Sequence, residues 1–138
     1  MLTVIYYTCN REETAFESTI QKSLLDVIGN TPLISVSQKP IDFGKNICVG
    51  DIGTSDMNIF RQLLIGCEVA TTPLVATAEA DCLYPPTGYF DFKPDQEDMA
   101  YRYTNLWFFY RQKDFYYKKD YRLRFTAGLH LFCPHFIM

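Results

Sequence analysis

The segment at residues 2–37, LTVIYYTCNREETAFESTIQKSLLDVIGNTPLISVS, predicts a strand, a helix and a second strand in that order. Leu2–Thr8 is a near-continuous run of β-branched and aromatic residues, as expected for a strand buried on both faces. Residues 13–28 carry apolar side chains at helical spacing, and Gly29-Asn30 is a typical helix end. Residues 31–37 return to the strand pattern, so the segment has the form of a βαβ unit. The apolar positions of the predicted helix are Phe16, Ile20, Leu24, Val27 and Ile28.

The same alternation continues along the first half of the chain. Residues 47–50 predict a third strand, residues 55–70 a second helix and residues 74–78 a fourth strand. Strands that alternate with helices form parallel sheets, because a parallel pair needs a crossover connection. The sequence therefore predicts an α/β fold with a mostly parallel sheet. The apolar face of the second helix is predicted to consist of Met57, Phe60, Leu64 and Cys67.

The second half of the chain is rich in aromatic residues. Of the 22 aromatic side chains, 15 lie between Tyr84 and Phe125. Residues 99–110 and 115–121 are aromatic runs on either side of a polar group, Arg111-Gln112-Lys113-Asp114, and this pattern is typical of a β-hairpin.

The two halves are expected to do different work within one domain. Residues 1–86 are predicted to be the βαβ half, and residues 87–138 an aromatic, β-rich remainder. The tail from about residue 123 has no clear pattern, and its apolar character makes it a candidate surface for a homo-oligomer.

Length and composition limit the class of protein. The chain has 138 residues and a formal net charge of −3, which fits one globular domain and argues against nucleic-acid binding as its main role. No apolar run approaches the roughly 20 residues of a membrane helix, and the amino terminus lacks the basic region of a signal peptide. The 5 cysteines form no C-x-x-C pair, which disfavours a disulfide framework or a cysteine zinc site. Free thiols suit a reducing environment, so we expect a cytoplasmic location.

Polar residues follow three of the predicted strands. They are Thr8-Cys9-Asn10-Arg11 after the first, Ser37-Gln38-Lys39 after the second and Glu79-Ala80-Asp81 after the fourth. In an open parallel sheet, ligands bind at the carboxyl ends of the strands, where these groups should converge. Two carboxylates separated by one residue in a strand can share a face and hold a hard divalent cation such as Mg²⁺ or Mn²⁺. The other reading of Glu79 and Asp81 is a pair of solvated loop acids.

Two of these segments resemble the family-2 glycosyltransferases of the GT-A fold. Thr8, Asn10 and Arg11 match the P-T-Y-N-R segment that opens the family, with Tyr7 and Cys9 at the other two positions. Glu79-Ala80-Asp81 is similar to the D-x-D motif, with Glu79 in place of the first Asp. The resemblance covers roughly residues 2 to 86, and its remaining matches are Gly53-Thr54-Ser55, Asn58, Ile65-Gly66-Cys67, Ala70-Thr71, the predicted strand Leu74–Ala78 and Leu83-Tyr84-Pro85.

The resemblance implies a GT-A-like α/β/α sandwich that transfers a sugar from a nucleotide-diphosphate-sugar donor to a hydroxyl of a glycan, lipid or protein acceptor. It implies that Asp81, assisted by Glu79, holds a divalent metal (Mn²⁺ or Mg²⁺) that bridges the donor's diphosphate. The residues that it implies for donor binding are Thr8, Asn10, Arg11, Gln38, Asn58, Arg61 and Glu79.

Each of these assignments has a structural alternative. Thr8 and Asn10 would also serve as the amino-terminal cap of the first helix. Arg11 would be an exposed surface charge, and Asn58 and Arg61, one helical turn apart, would be solvated helix residues.

Several further positions complete the implied site. The family places an acidic residue after its second strand, where this chain has Gln38 and Lys39, and Asp42 is a distant candidate for that role. The candidates for the general base that an inverting transferase needs are Asp95, Glu97 and Asp98, which also read as a solvated charged loop. The candidates for an additional metal ligand are His130 and His135, which also read as structural residues.

Other functions fit parts of the sequence. A non-catalytic binding protein would use the aromatic second half as its surface, since Tyr-rich strands are favoured at interfaces. An inactive donor-binding fragment is a related alternative, because only 57 residues follow Asp81 and we expect a short or incomplete version of the family domain. A nucleotidyltransferase would need a glycine-rich phosphate loop after the first strand, and residues 8–11 contain no glycine.

Overall fold

The computed structural model describes residues 1–96, 99–109, 115–118 and 130–132. Within these residues the chain forms two helices and eight strands. In chain order they are β1 (Leu2–Thr8), α1 (Thr14–Ile28), β2 (Leu33–Ser37), β3 (Lys45–Cys48), α2 (Asp56–Val69), β4 (Leu74–Glu79), β5 (Tyr101–Arg102), β6 (Trp107–Phe109), β7 (Tyr116–Lys118) and β8 (His130–Phe132).

The main sheet has the strand order β3-β2-β1-β4-β8-β5. Its first four strands are parallel, with β1 paired to β2 on one side and to β4 on the other, so that Val4 lies opposite Leu33 and Ala76. β8 runs antiparallel to both β4 and β5. The predicted α/β fold class is thereby confirmed. Central β1 is buried from Thr3 to Thr8, because it has neighbours on both edges and both faces.

The two helices cover opposite faces of the parallel strands. α1 packs Leu24 and Ile28 with Val4 and Tyr6 of β1. α2 packs Leu63 and Cys67 with Ile5 and Tyr7, the residues of β1 that point the other way. Right-handed crossovers require this arrangement, since the chain moves from β1 outward to β3 and then back across to β4. The chain adds β2 and β3 on one side of β1 and then adds β4 on the other side. This switch in strand order creates a crevice at the carboxyl ends of β1 and β4.

The buried face of α2 is only partly the one that the apolar spacing predicts, since Cys67 is buried as expected. Met57 and Phe60 are 61% and 53% exposed, so this part of the prediction was wrong. The reason is a close approach of the helix to β1, where a Cβ on Gly66 would lie 2.6 Å from Cγ2 of Ile5. The helix therefore packs through its small and polar side. Its buried residues are Asn58, Gln62, Leu63, Gly66 and Cys67.

The second half contributes a separate hairpin. β6 pairs with β7 antiparallel, which confirms a hairpin with shorter strands than predicted. The start of the first aromatic run, Tyr101–Arg102, instead forms β5 and pairs with β8 in the main sheet. The predicted turn at residues 111–114 lies outside the described residues. After β4 the chain folds back, and the buried rings of Tyr84 and Tyr89 pack in the same core cluster as Ala78 and Ala80. Among the described residues, neither helix has the length and apolar character that a membrane crossing requires.

Candidate functional site

A cavity of about 340 Å³ lies at the carboxyl edge of the parallel strands. Its walls come from the end of β1 with the following loop, the residue after β2, the first turns of α2 with the loop before it, and the end of β4. Of the eight residues that the resemblance implies for donor or metal binding, five line it: Thr8, Gln38, Asn58, Glu79 and Asp81. Asn10, Arg11 and Arg61 are not among the lining residues. The fold thus brings together segments from residues 7 to 81.

Asn10 connects the loops that follow β1 and β2. Its Oδ1 accepts hydrogen bonds from the backbone N–H groups of Gln38 and Lys39, at 2.9 and 2.7 Å. Its own N–H donates to Oγ1 of Thr8 at 3.0 Å. The alternative in which Thr8 or Asn10 caps the first helix was wrong, because α1 begins at Thr14 with Glu13 as its N-cap residue. Asn10 therefore shapes the cavity wall without facing the cavity.

The bridge made by Asn10 leads to a stability prediction. Asn10 has φ of 53°, a left-handed conformation that asparagine tolerates better than alanine. Replacing it with alanine removes two hydrogen bonds and strains the backbone, so we expect the free energy of unfolding to fall by about 2 kcal/mol. Asn10→Asp keeps the acceptor and should stay within about 1 kcal/mol of wild type in denaturant titrations. Equal losses in both variants would show that the acceptor does not matter.

Two buried glutamines hold the floor of the cavity together. Gln38 donates from Nε2 to the carbonyl oxygen of Gly53 at 2.6 Å, which fixes the loop before α2. Gln62 donates from Nε2 to the carbonyl oxygens of Thr8 and Val36, at 3.0 and 2.9 Å. Gln62 was not predicted as a site residue. The apolar spacing places its side of the helix toward solvent, where a glutamine is expected, so its residue type alone does not mark it.

The amino-terminal end of α2 forms another wall. Ser55 is the N-cap residue, and its Oγ accepts from the backbone N–H of Asn58 at 3.2 Å. The side chain of Asn58 donates from Nδ2 to the carbonyl oxygen of Ile52. Exposed Arg61 donates from Nη1 to Oδ1 of Asn58 at 3.1 Å, so the predicted pair one turn apart is in contact. Arg61 thus contacts a residue that lines the cavity but does not line it itself.

Glu79, Asp81 and Cys82 form a cluster of possible metal ligands at the end of β4. One ligand atom from each lies within 4.8 Å of the other two. The Cys82 thiol donates to Oδ1 of Asp81 at 3.6 Å. Asp81 is exposed, whereas Glu79 and Cys82 are half-buried. Cys82 was not among the predicted ligands, because nothing in its spacing marks it as one.

Burial raises the pKa of Glu79 above its ordinary value. Desolvation is the largest cause, and the nearby charge of Asp81 adds to it, while a hydrogen bond from the Tyr7 hydroxyl opposes both. The backbone N–H of Glu79 donates to the hydroxyl oxygen of Tyr84 at 2.7 Å, which fixes the strand end. Two carboxylates held this closely repel each other, and a bound cation would relieve that repulsion.

This raised pKa predicts how stability depends on pH when no metal is present. Above the folded-state pKa of Glu79, its buried charge lowers the free energy of unfolding by the full amount. This loss shrinks as the pH falls and disappears below the ordinary pKa of 4.5. Glu79→Gln removes the charge and keeps an acceptor for Tyr7. We therefore expect the variant to melt at a higher temperature than wild type at about pH 8, with the difference vanishing near pH 4.5.

The measurement is thermal unfolding in a chelator over a pH series. Glu68→Gln, which changes an exposed glutamate of α2, is the matched control and should show no such pH-dependent gain. A Glu79→Gln variant that melts below wild type at about pH 8 would contradict the expectation.

The cavity is acidic. Four of its lining side chains are carboxylates, Glu12, Asp56, Glu79 and Asp81. None of the described residues that line it is a lysine or arginine. Arg11 is exposed, as its structural alternative had it. The cavity therefore favours a cation, and it would repel an anionic ligand that arrived without one.

The remaining candidates lie elsewhere. Asp95 is exposed and accepts a hydrogen bond from the Tyr101 hydroxyl. Lys39 and Asp42 are exposed and do not line the cavity. His130 begins β8, the strand next to β4. The other three candidates, Glu97, Asp98 and His135, lie outside the described residues.

In comparisons with known proteins, no protein-family model matches the sequence, and no curated protein matches it either.

Proposed function

We propose that this chain binds a nucleotide-diphosphate-sugar together with a divalent cation, as a glycosyltransferase or the donor-binding part of one. The observation that carries the proposal is the convergence of Glu79 and Asp81 with Thr8 and Gln38 on one cavity. That cavity lies at the carboxyl edge of the sheet, where α/β folds bind nucleotides. The mostly parallel sheet with a helix on each face is compatible with the GT-A-like sandwich that the resemblance implies.

The carboxylates of Glu79 and Asp81 are the proposed metal ligands. Carboxylate oxygens suit Mg²⁺ and Mn²⁺, which keep other coordination positions for water and phosphate. Burial raises the pKa of the Cys82 thiol, with the charges of Glu79 and Asp81 as further causes. The thiol therefore stays protonated at neutral pH and does not compete with the oxygen ligands unless a metal displaces its proton.

The acidity of the cavity makes donor binding dependent on the metal. A nucleoside diphosphate is an anion, and the four lining carboxylates oppose its entry. When bound, the cation would neutralise charge on the diphosphate as the sugar is transferred. Thr8, Gln38 and Asn58 supply uncharged polar groups that can hydrogen-bond to the nucleoside.

Fewer described residues support the part of the proposal that concerns the acceptor. The acceptor is a hydroxyl of a glycan, lipid or protein, and the general base comes from the candidates Asp95, Glu97 and Asp98. Asp95 is the one whose position is described, and it does not line the cavity. This observation favours the second candidate function, a non-catalytic protein that binds the donor but does not transfer the sugar.

Isothermal titration calorimetry with a panel of nucleoside diphosphates tests the proposal. Each is titrated into the protein with Mn²⁺ and again with a chelator. We expect at least one to bind with Mn²⁺ and none to bind with the chelator. Folded protein that binds none of them under either condition would overturn the proposal. Loss of the sugar from the matching nucleotide-sugar then separates a transferase from a binding protein.

A further inference from the structure

The β6–β7 hairpin presents an aromatic face to solvent. Trp107, Phe109 and Tyr116 are 48%, 72% and 63% exposed. The strand register pairs Trp107 with Lys118 and Phe109 with Tyr116, so these four side chains share one face. The ammonium of Lys118 lies 5.9 Å from the centre of the Trp107 ring. This surface, which we call the hairpin face, consists of three rings and one cation.

The sequence around the hairpin is strongly basic in an acidic chain. Residues 101–125 contain seven lysines and arginines and two aspartates, whereas the whole chain has a net charge of −3. The exposed rings and the positive charge therefore occur in the same part of the chain. A partner for the hairpin face should therefore offer apolar groups that the rings can contact and negative charges that the basic residues can attract.

We propose that the hairpin face docks on an anionic lipid surface. Tryptophan and tyrosine are enriched where bilayers meet water, because their rings are apolar and their polar edges remain hydrated. Basic residues beside them are attracted to anionic headgroups, and each strengthens binding about fivefold. Lys118 beside Trp107 can reach the headgroups while the ring enters the interface. The docking does not depend on nucleotide binding, which uses a different surface.

Charge distinguishes lipid from the other occupants of such a face. Two copies of the chain that met through this hairpin would bring Lys118 of each copy into the contact, and like charges oppose that contact. A neutral glycan can stack on aromatic rings but gains nothing from the surrounding charge. An anionic membrane uses both the rings and the charge.

Trp107 is the only tryptophan in the chain and serves as the reporter. The protein is mixed with phosphatidylcholine vesicles that contain either no anionic lipid or roughly 30% phosphatidylserine. We expect the tryptophan emission to shift to shorter wavelength and the protein to float with the anionic vesicles only. Raising the salt from about 0.05 M to about 0.5 M should release it. Absence of binding to either vesicle, or equal binding to both, overturns the proposal.

Two variants locate the docking surface. The double variant Phe109→Ala, Tyr116→Ala keeps the reporter and should bind anionic vesicles at least about tenfold more weakly. The matched control is Phe60→Ala, which removes a half-exposed ring of α2 and should bind as wild type does. Both variants should unfold in a single cooperative thermal transition, as wild type does, which distinguishes a hairpin effect from unfolding. Unchanged vesicle binding by the double variant contradicts the proposal. The proposal is also contradicted if wild type binds no vesicles but forms a dimer, seen by light scattering, while the double variant is a monomer.

Discussion

Asp81→Ala is expected to weaken nucleotide binding in the presence of Mn²⁺ by at least tenfold, or about 1.4 kcal/mol. Asp81 is the exposed carboxylate of the metal-ligand cluster, so its removal leaves Glu79 as the only charged ligand there. The acidic cavity then lacks the cation that offsets its repulsion of the diphosphate. Because Asp81 is exposed, the variant should fold as wild type does. The measurement is titration calorimetry with the nucleotide that wild type binds most tightly.

Asp26→Ala is the control for this prediction. Asp26 is an exposed aspartate on α1, and it does not line the cavity. Its removal changes the net charge of the protein by the same amount. If both variants lose the same affinity, the effect comes from overall charge and Asp81 is not a specific ligand.

Gln62→Leu is expected to lower the free energy of unfolding by about 2–4 kcal/mol. Leucine fills a similar volume, so the loss comes from the two hydrogen bonds that Gln62 donates to Thr8 and Val36. Both bonds are buried, and water cannot replace the missing donor without entering the core. Chemical denaturation of the two proteins measures the difference.

Gln21→Leu is the matched substitution for this test. Gln21 is half-buried on α1, and its Nε2 donates at 3.5 Å to the hydroxyl oxygen of Tyr6. We expect it to cost less than about 1 kcal/mol, because that contact is long. A loss for Gln62→Leu no larger than the loss for Gln21→Leu would contradict the role assigned to the buried amide.

The strands and helices of the first half could be predicted from local pattern. β1 has the predicted bounds, and the ends of α1 and α2 lie within one residue of those predicted. Strongly periodic apolar residues and a glycine stop determine such elements locally. The pairing of β8 with β4 could not be predicted, because it joins residues more than fifty positions apart and the tail carries no regular alternation.

The candidate site was predicted in part, for a reason that lies in the topology. Residues that follow parallel strands meet at one edge, and this rule brings Thr8, Gln38 and Asp81 together. The rule does not say which way a side chain points. Asn10 turns to bind the backbone of the neighbouring loop, and Arg11 points to solvent. Gln62 and Tyr7 serve the site from positions that look like ordinary core residues, so only their contacts reveal them.

The most direct test of the central claim is the position of Mn²⁺ when a nucleoside diphosphate is bound. Nitrogen-15 NMR spectra of the protein with the nucleotide are recorded as substoichiometric Mn²⁺ is added, since the ion broadens the signals of nearby amides. The account predicts that the amides of Thr8, Gln38 and Asp81 broaden first, and that Thr31 and Leu74, at the opposite edge of the sheet, broaden last. Broadening that begins at Thr31 and Leu74, or that is uniform along the chain, would contradict a metal site in the cavity.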